Sequence, residues 1–108
     1  MIRRTGTILG LAVAFALASP AAQAGFIDGQ ELYSRCRAAD TGHRLSCIGY
    51  VMGSADWYAA KGCLPNGVNV ETIRDIVIRW LDQHPEKRTN SGREVVLGAL
   101  EAAYPCKR

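Results

Sequence analysis

Apolar residues recur at intervals of three and four along most of this chain after residue 28, which is the spacing of amphipathic helices. The pattern predicts four main helices, separated by short segments that contain Gly, Pro or Asn. No stretch alternates apolar and polar residues for long enough to indicate a sheet. We therefore expect an all-α domain, a small bundle of four to five helices.

The first two predicted helices lie on either side of a tight turn. Asp28 is a candidate N-cap for the first helix, which extends to about residue 39. Residues 40–42 break it, and the second helix covers about 43–60. The apolar residues expected to face the core are Leu32, Tyr33 and Cys36 on the first helix, and Cys47, Ile48, Val51, Met52, Ala55 and either Tyr58 or Ala59 on the second.

The third and fourth predicted helices have clear start and stop signals. Asn69 caps the third helix, which ends before Pro85. Ser91 and Glu94 form a capping box for the fourth helix, which ends at Pro105. The expected apolar stripe of the third helix consists of Val70, Ile73, Val77, Trp80 and His84.

The N-terminal segment is typical of a cleavable secretory signal peptide. Arg3 and Arg4 precede an apolar run over residues 8–18, and Ala22-Gln-Ala24 matches a signal peptidase site. Cleavage after Ala24 divides the chain into a signal peptide, residues 1–24, and one helical domain, residues 25–108. The run is too short to span a bilayer, so we expect a periplasmic protein without a membrane anchor.

Removal of the signal peptide changes the charge balance. The whole chain has a formal net charge of +3. Residues 1–24 contain two arginines and no acidic residue, so the net charge falls to +1. This small value gives no reason to expect nucleic acid or an anionic membrane as a partner.

The chain contains four cysteines, an even number that predicts two disulfides in a short exported domain. Cys36 and Cys47 lie on either side of the turn between the first two helices, so an antiparallel hairpin favours their pairing. Cys63 and Cys106 would then join the long loop to the C-terminus. The other two connectivities stay open. A zinc site is the competing interpretation, and the absence of a CxxC motif argues against it.

Gly49, Gly53 and Asp56 fall on one face of the second predicted helix. Each helical glycine costs about 1 kcal/mol relative to alanine, so a close approach of another backbone would explain the pair. One interpretation is packing within the chain, with Asp56 paired to Arg74 or Arg93. The other is a surface for self-association or for a partner.

Five segments of the chain together resemble a known family. They are Cys36, Cys47-Ile-Gly-Tyr-Val-Met-Gly-Ser-Ala-Asp56, Cys63-Leu-Pro-Asn-Gly-Val68, Arg74-Asp-Ile-Val-Ile-Arg-Trp-Leu-Asp-Gln-His-Pro-Glu-Lys-Arg88 and Ala99-Leu-Glu-Ala-Ala-Tyr-Pro-Cys106. In this order they are similar to the Rap and Tai proteins, the periplasmic immunity proteins of type VI secretion. The resemblance covers residues 32–106.

The resemblance implies an α-helical, disulfide-bonded and often homodimeric protein. It implies a protein partner, a peptidoglycan amidase effector whose active site the immunity protein occludes, and no cofactor. The chain also resembles, more distantly, the HdeA-type periplasmic acid chaperones. An acid-stress chaperone, or another small helical binding protein of the envelope, is therefore the alternative function.

No catalytic or metal-binding motif is present in the sequence. We expect His43 to lie at a helix start and His84 to cap a helix end, where imidazoles bind terminal carbonyls. Asp75 and Asp82 fall on the polar side of the third helix. Neither a nucleophile paired with a base nor a phosphate-binding loop is recognisable, so we predict a protein that is not an enzyme.

A steric inhibitor needs an exposed element and an anchoring side chain. The predicted exposed elements are the loops 61–69 and 85–91. Trp57 is the favoured aromatic because it lies beside the apolar stripe, whereas we expect Trp80 in the core. The predicted partner-binding residues are Trp57, Tyr58, Glu86, Lys87, Arg88, Thr89 and Asn90.

Overall fold

A computed structural model describes residues 27–106 as an all-α domain, which confirms the predicted fold class. The elements are α1 (Gly29–Arg37), α2 (Thr41–Ala60), α3 (Val70–Gln83), a 3₁₀ helix (Pro85–Thr89) and α4 (Gly92–Ala103). The predicted signal peptide, residues 1–24, lies outside the described residues. None of the helices within residues 27–106 combines the length and the apolar character that crossing a membrane requires.

Each α-helix begins at a polar residue whose side chain accepts a hydrogen bond from the backbone N–H three residues later. The acceptors are Asp28, Asp40 and Asn69, each at 2.9 Å, and Ser91 at 3.2 Å. Such caps supply partners to N–H groups that the helix itself leaves unpaired.

The boundary between the first two helices differs from the prediction. Residues 40–42 do not form a three-residue break, because Asp40 caps α2 and the helix begins at Thr41. The first helix ends at Arg37, two residues before the predicted end.

The core lies between all four α-helices. The largest fully buried side chains are Leu32, Cys47, Val51, Val77, Leu81, Val95, Val96 and Leu100. Two predicted core positions of α2 differ from the expectation, since Met52 is exposed and Ile48 is only half-buried. The buried stripe of α2 consists of Cys47, Val51, Ala55 and Tyr58, and Met52 lies beside this stripe on the exposed part of the helix.

Disulfides join Cys36 to Cys47 and Cys63 to Cys106, the pairing that the sequence favoured. The first closes the α1–α2 hairpin, and the second ties the loop after α2 to the end of the chain. All four cysteines of the chain are joined in these two disulfides.

An antiparallel bridge between Asp28 and Ser91 holds the starts of α1 and α4 side by side. The Gly29 N–H donates to the Asn90 carbonyl, and the Gly92 N–H donates to the Ile27 carbonyl, both at 2.8 Å. The approach is so close that a Cβ on Gly29 would lie 2.9 Å from the Cα of Arg88. Glycine at this position therefore allows the 3₁₀ helix to pack against α1.

Candidate partner-binding surfaces

The segment predicted as an exposed loop over residues 85–91 is largely a 3₁₀ helix, Pro85–Thr89. Pro85 stops α3 as expected, and His84 caps the end of that helix. The His84 backbone N–H and the ring Nδ1 lie 2.9 Å and 2.8 Å from the Trp80 carbonyl oxygen. The predicted capping role of His84 is thus confirmed, and its ring also stacks on the half-buried Trp80.

Arg88 fastens the 3₁₀ helix to the body of the domain. The Leu81 carbonyl would ordinarily accept a hydrogen bond from the residue four positions later, but that residue is Pro85, which has no N–H. Arg88 donates to this oxygen from Nε at 3.2 Å and from Nη2 at 2.9 Å. Its guanidinium carbon also lies 4.1 Å from the centre of the Tyr33 ring.

Tyr33, on α1, extends this connection to α3, because its hydroxyl donates to Asp82; it also accepts a hydrogen bond from Arg37, one turn later on α1. The guanidinium of Arg88 is thereby committed to contacts within the domain. Arg88 therefore positions the 3₁₀ helix, and its contact with a partner stays a prediction.

The remaining candidates of this segment differ in exposure. Glu86 and Thr89 are exposed, whereas Lys87 and Asn90 are half-buried. Asn90 also accepts the backbone hydrogen bond of the bridge through its carbonyl. The segment therefore offers a short polar surface on a backbone that is held at both ends.

Trp57 and Tyr58, adjacent in sequence, lie on different sides of α2. The Trp57 side chain is 45% exposed, whereas Tyr58 is 3% exposed and belongs to the core. The Tyr58 hydroxyl donates to the Tyr104 carbonyl at 2.5 Å and to Glu101 at 3.2 Å. Burial, together with the charge of Glu101, raises the pKa of Tyr58. The prediction of Tyr58 as a surface residue for a partner is therefore corrected.

Two cationic side chains lie over the exposed ring of Trp57. The Lys61 Nζ lies 4.5 Å from the ring centre, and the Arg93 guanidinium carbon lies 4.8 Å from it. The sequence showed the i, i+4 pair of Trp57 and Lys61, but it did not show that α4 would bring Arg93 to the same ring.

The outer face of α2 consists of Leu45, Gly49, Met52, Gly53 and Asp56. Leu45 is 64% exposed and Met52 is 47% exposed. A Cβ added at Gly49 or Gly53 would meet no atom within 4 Å. The predicted packing of this face within the chain is therefore wrong, because the helix turns it away from the core.

Asp56 takes no part in the salt bridge that packing within the chain would have required. Arg74 instead lies 3.4 Å from Glu71 and 3.2 Å from Asp75, while Arg93 lies over Trp57. Beside the outer face, a shallow groove of about 280 Å³ runs between α2 and the start of α3. Its apolar lining includes Met52 and Ile73.

The titratable residues weighed as catalytic candidates have structural partners. His43 Nδ1 lies 2.8 Å from Asp40, whose pKa is lowered by hydrogen bonds from the backbone and the ring of His43. Asp75 contacts Arg74, and Asp82 accepts from Tyr33. Within residues 27–106, no group of His, Cys, Asp and Glu side chains is placed to hold a metal ion.

Comparison with known proteins agrees with this structural picture. The family model described as Rap1a immunity proteins matches residues 28–106, nearly all of the described part of the chain. No curated protein and no solved structure matches the chain significantly. The match spans α1 to α4 and both disulfides. The chain therefore belongs to the Rap1a family of immunity proteins, which are binding proteins rather than enzymes.

Proposed function

We propose that this protein is a periplasmic immunity protein that binds a peptidoglycan amidase effector of type VI secretion and covers its active site. Membership of an immunity family implies binding to a cognate effector protein. The amidase is the target that the resemblance to Rap and Tai proteins implies. The mechanism is steric, so it requires shape and contact but no chemistry by this chain.

The anchored 3₁₀ helix, Pro85–Thr89, is the observation that carries the proposal. Arg88 and the bridge hydrogen bond to Gly29 fix it at two points, while Glu86 and Thr89 remain exposed. An element that is ordered before binding loses little conformational entropy on binding. Such an element is suited to enter the cleft of an enzyme and to exclude its substrate.

Two features support export. Disulfides persist mainly in oxidising compartments such as the periplasm, and this domain contains two of them. The sequence of residues 1–24 has the pattern that is typical of a cleavable signal peptide. Sequencing the N-terminus of the protein recovered from a periplasmic fraction tests the proposed cleavage, which should leave Gly25 as the first residue.

Affinity capture followed by an inhibition assay tests the function. The full chain, tagged at its C-terminus and oxidised, is used to capture partners from secreted and periplasmic fractions of the source cell at neutral pH. A captured protein is then purified and assayed for cleavage of peptidoglycan peptides. We expect cleavage to stop at one equivalent of this protein, and the Glu86→Lys, Thr89→Arg variant to inhibit more weakly.

Three results would contradict the proposal. One is the absence of any partner at neutral pH, and another is a captured partner that cleaves no peptidoglycan. The third is the capture of many unrelated proteins at acid pH only, which would indicate the alternative function of an acid-stress chaperone.

We also propose that the outer face of α2 associates with a second copy of this chain. Leu45 and Met52 expose apolar surface there, and Gly49 and Gly53 leave room for another backbone. Sedimentation velocity over a range of concentrations should show a dimer that Gly53→Leu abolishes. A monomer at every concentration would refute self-association without affecting the proposal of effector binding.

A further inference from the structure

We infer that Trp57, Lys61 and Arg93 form a docking point for an acidic side chain on the surface of the partner protein. This inference deepens the proposed function and rests on the binding of an effector protein. The three residues are called the Trp57 cluster below. The Trp57 cluster is a second contact region, in addition to the 3₁₀ helix. The partner group that it accepts is a carboxylate.

The geometry concentrates positive charge around one exposed ring. Lys61 Nζ and the Arg93 guanidinium lie 4.5 Å and 4.8 Å from the ring centre of Trp57, so the ring holds two cations near each other. Lys61 is the C-cap residue of α2, four residues after Trp57, whereas Arg93 comes from the first turn of α4. Two helices that are fixed by the core therefore set the arrangement.

These two charges have no partner of opposite sign among the described residues. Neither Lys61 nor Arg93 takes part in a salt bridge there. The carboxylates nearest in sequence, Asp56 and Glu94, form no salt bridge with either cation. A carboxylate from another protein would find two uncompensated cations and an apolar surface against which its methylene groups can pack.

The cluster also has the composition of an interface hot spot. Trp and Arg are the side chains enriched among residues that dominate binding energy. Contact with the ring restrains both long cationic side chains before binding, which lowers the entropy lost when they grip an anion. Two cations are too few for the extended phosphate neutralisation that nucleic acid binding requires, which favours an acidic protein surface.

Nuclear magnetic resonance of the indole N–H groups tests the inference without knowledge of the effector. The full chain is secreted with ¹⁵N labelling and titrated at low salt with hexaglutamate, and with hexalysine as the opposite charge. The two tryptophans, Trp57 and Trp80, give one indole signal each. We expect hexaglutamate to shift the Trp57 signal saturably and to leave the Trp80 signal unchanged, and hexalysine to shift neither.

Matched charge variants separate the cluster from the overall charge. Lys61→Gln, Arg93→Gln should weaken hexaglutamate binding about five- to tenfold, as expected for the loss of two exposed ion pairs. Arg44→Gln, Arg79→Gln removes the same charge from exposed positions elsewhere and should change binding less than twofold. The inference is overturned if the Trp57 signal does not respond or if the two double variants behave alike.

Inhibition assays with the captured effector distinguish failure of the docking point from failure of the immunity function. If wild type inhibits the captured amidase and Lys61→Glu, Arg93→Glu inhibits equally well, the docking point is wrong while the immunity function stands. If wild type inhibits nothing, the proposed function fails, and a specific response of Trp57 to hexaglutamate still supports an anion-binding cluster.

Discussion

Replacing Gly49 and Gly53 by alanine should stabilise the monomeric protein. Both glycines lie inside α2, on a face where an added Cβ meets nothing within 4 Å. Alanine in a helix interior is more favourable than glycine by about 0.8–1 kcal/mol per site. Because no steric cost offsets this gain, the double variant should gain about 1.6–2 kcal/mol. For a domain of this size, that corresponds to a rise in Tm of about 7–15 °C.

Thermal and urea denaturation at low protein concentration measure this effect, with the disulfides kept oxidised. Gly29→Ala is the matched control, because its Cβ would lie 2.9 Å from the Cα of Arg88 and should destabilise the fold by about 1–3 kcal/mol. A loss of stability in the Gly49→Ala, Gly53→Ala variant at every concentration would show that this face is packed inside the monomer. That result would refute the outward orientation of Gly49 and Gly53, and with it the expectation that alanine at these positions stabilises the protein.

Three further perturbations address the 3₁₀ helix, a disulfide and a helix cap. Arg88→Ala should lower the free energy of unfolding by about 2 kcal/mol, because the Leu81 carbonyl loses its charged donor. Urea titration measures this change, and the control Arg79→Ala should change the free energy of unfolding by less than about 0.5 kcal/mol. Replacing both Cys63 and Cys106 by serine opens a loop with a sequence separation of 43 residues. By the chain-entropy model, loss of this disulfide lowers the free energy of unfolding by about 4 kcal/mol and therefore lowers the urea midpoint. An unchanged midpoint would contradict this prediction. Hydrogen bonds in the first turn of α2 hold the pKa of Asp40 below 3.8, so its charge stabilises the fold above that pH. That stabilisation is lost as the pH falls through the lowered pKa, so urea titrations should show Asp40→Asn approaching wild type in acid.

The helix starts were predictable where the signal is local. Asp28, Asn69 and Ser91 cap helices as the sequence predicts, because an N-cap needs only one side chain and a backbone N–H three residues later. Asp40 acts by the same chemistry, yet the sequence predicts it to be part of a break. Gly42 follows it closely, and a glycine in the first turn of a helix resembles a turn residue when the sequence is considered alone.

The exposed surfaces were less predictable, since exposure depends on how the core is oriented around a helix. The sequence identified the unusual pair of Gly49 and Gly53, but only the packed structure shows that they face outward with Met52. Trp57 was correctly placed beside the apolar stripe, while its neighbour Tyr58 proved to be core. The approach of Arg93 to Trp57 joins residues from two helices, and no local pattern in the sequence encodes it.

The bridge between Asp28 and Ser91 has a practical consequence for how this protein is labelled or immobilised. The carbonyl of Ile27, the first described residue, accepts a hydrogen bond from the Gly92 N–H. Ile27 therefore lies close to the end of the 3₁₀ helix. Cys106 follows α4, a helix of 12 residues that extends about 18 Å. A fusion or dye attached at the N-terminal side would crowd the candidate binding element, and attachment through the C-terminus to a biosensor surface keeps that element accessible to the analyte.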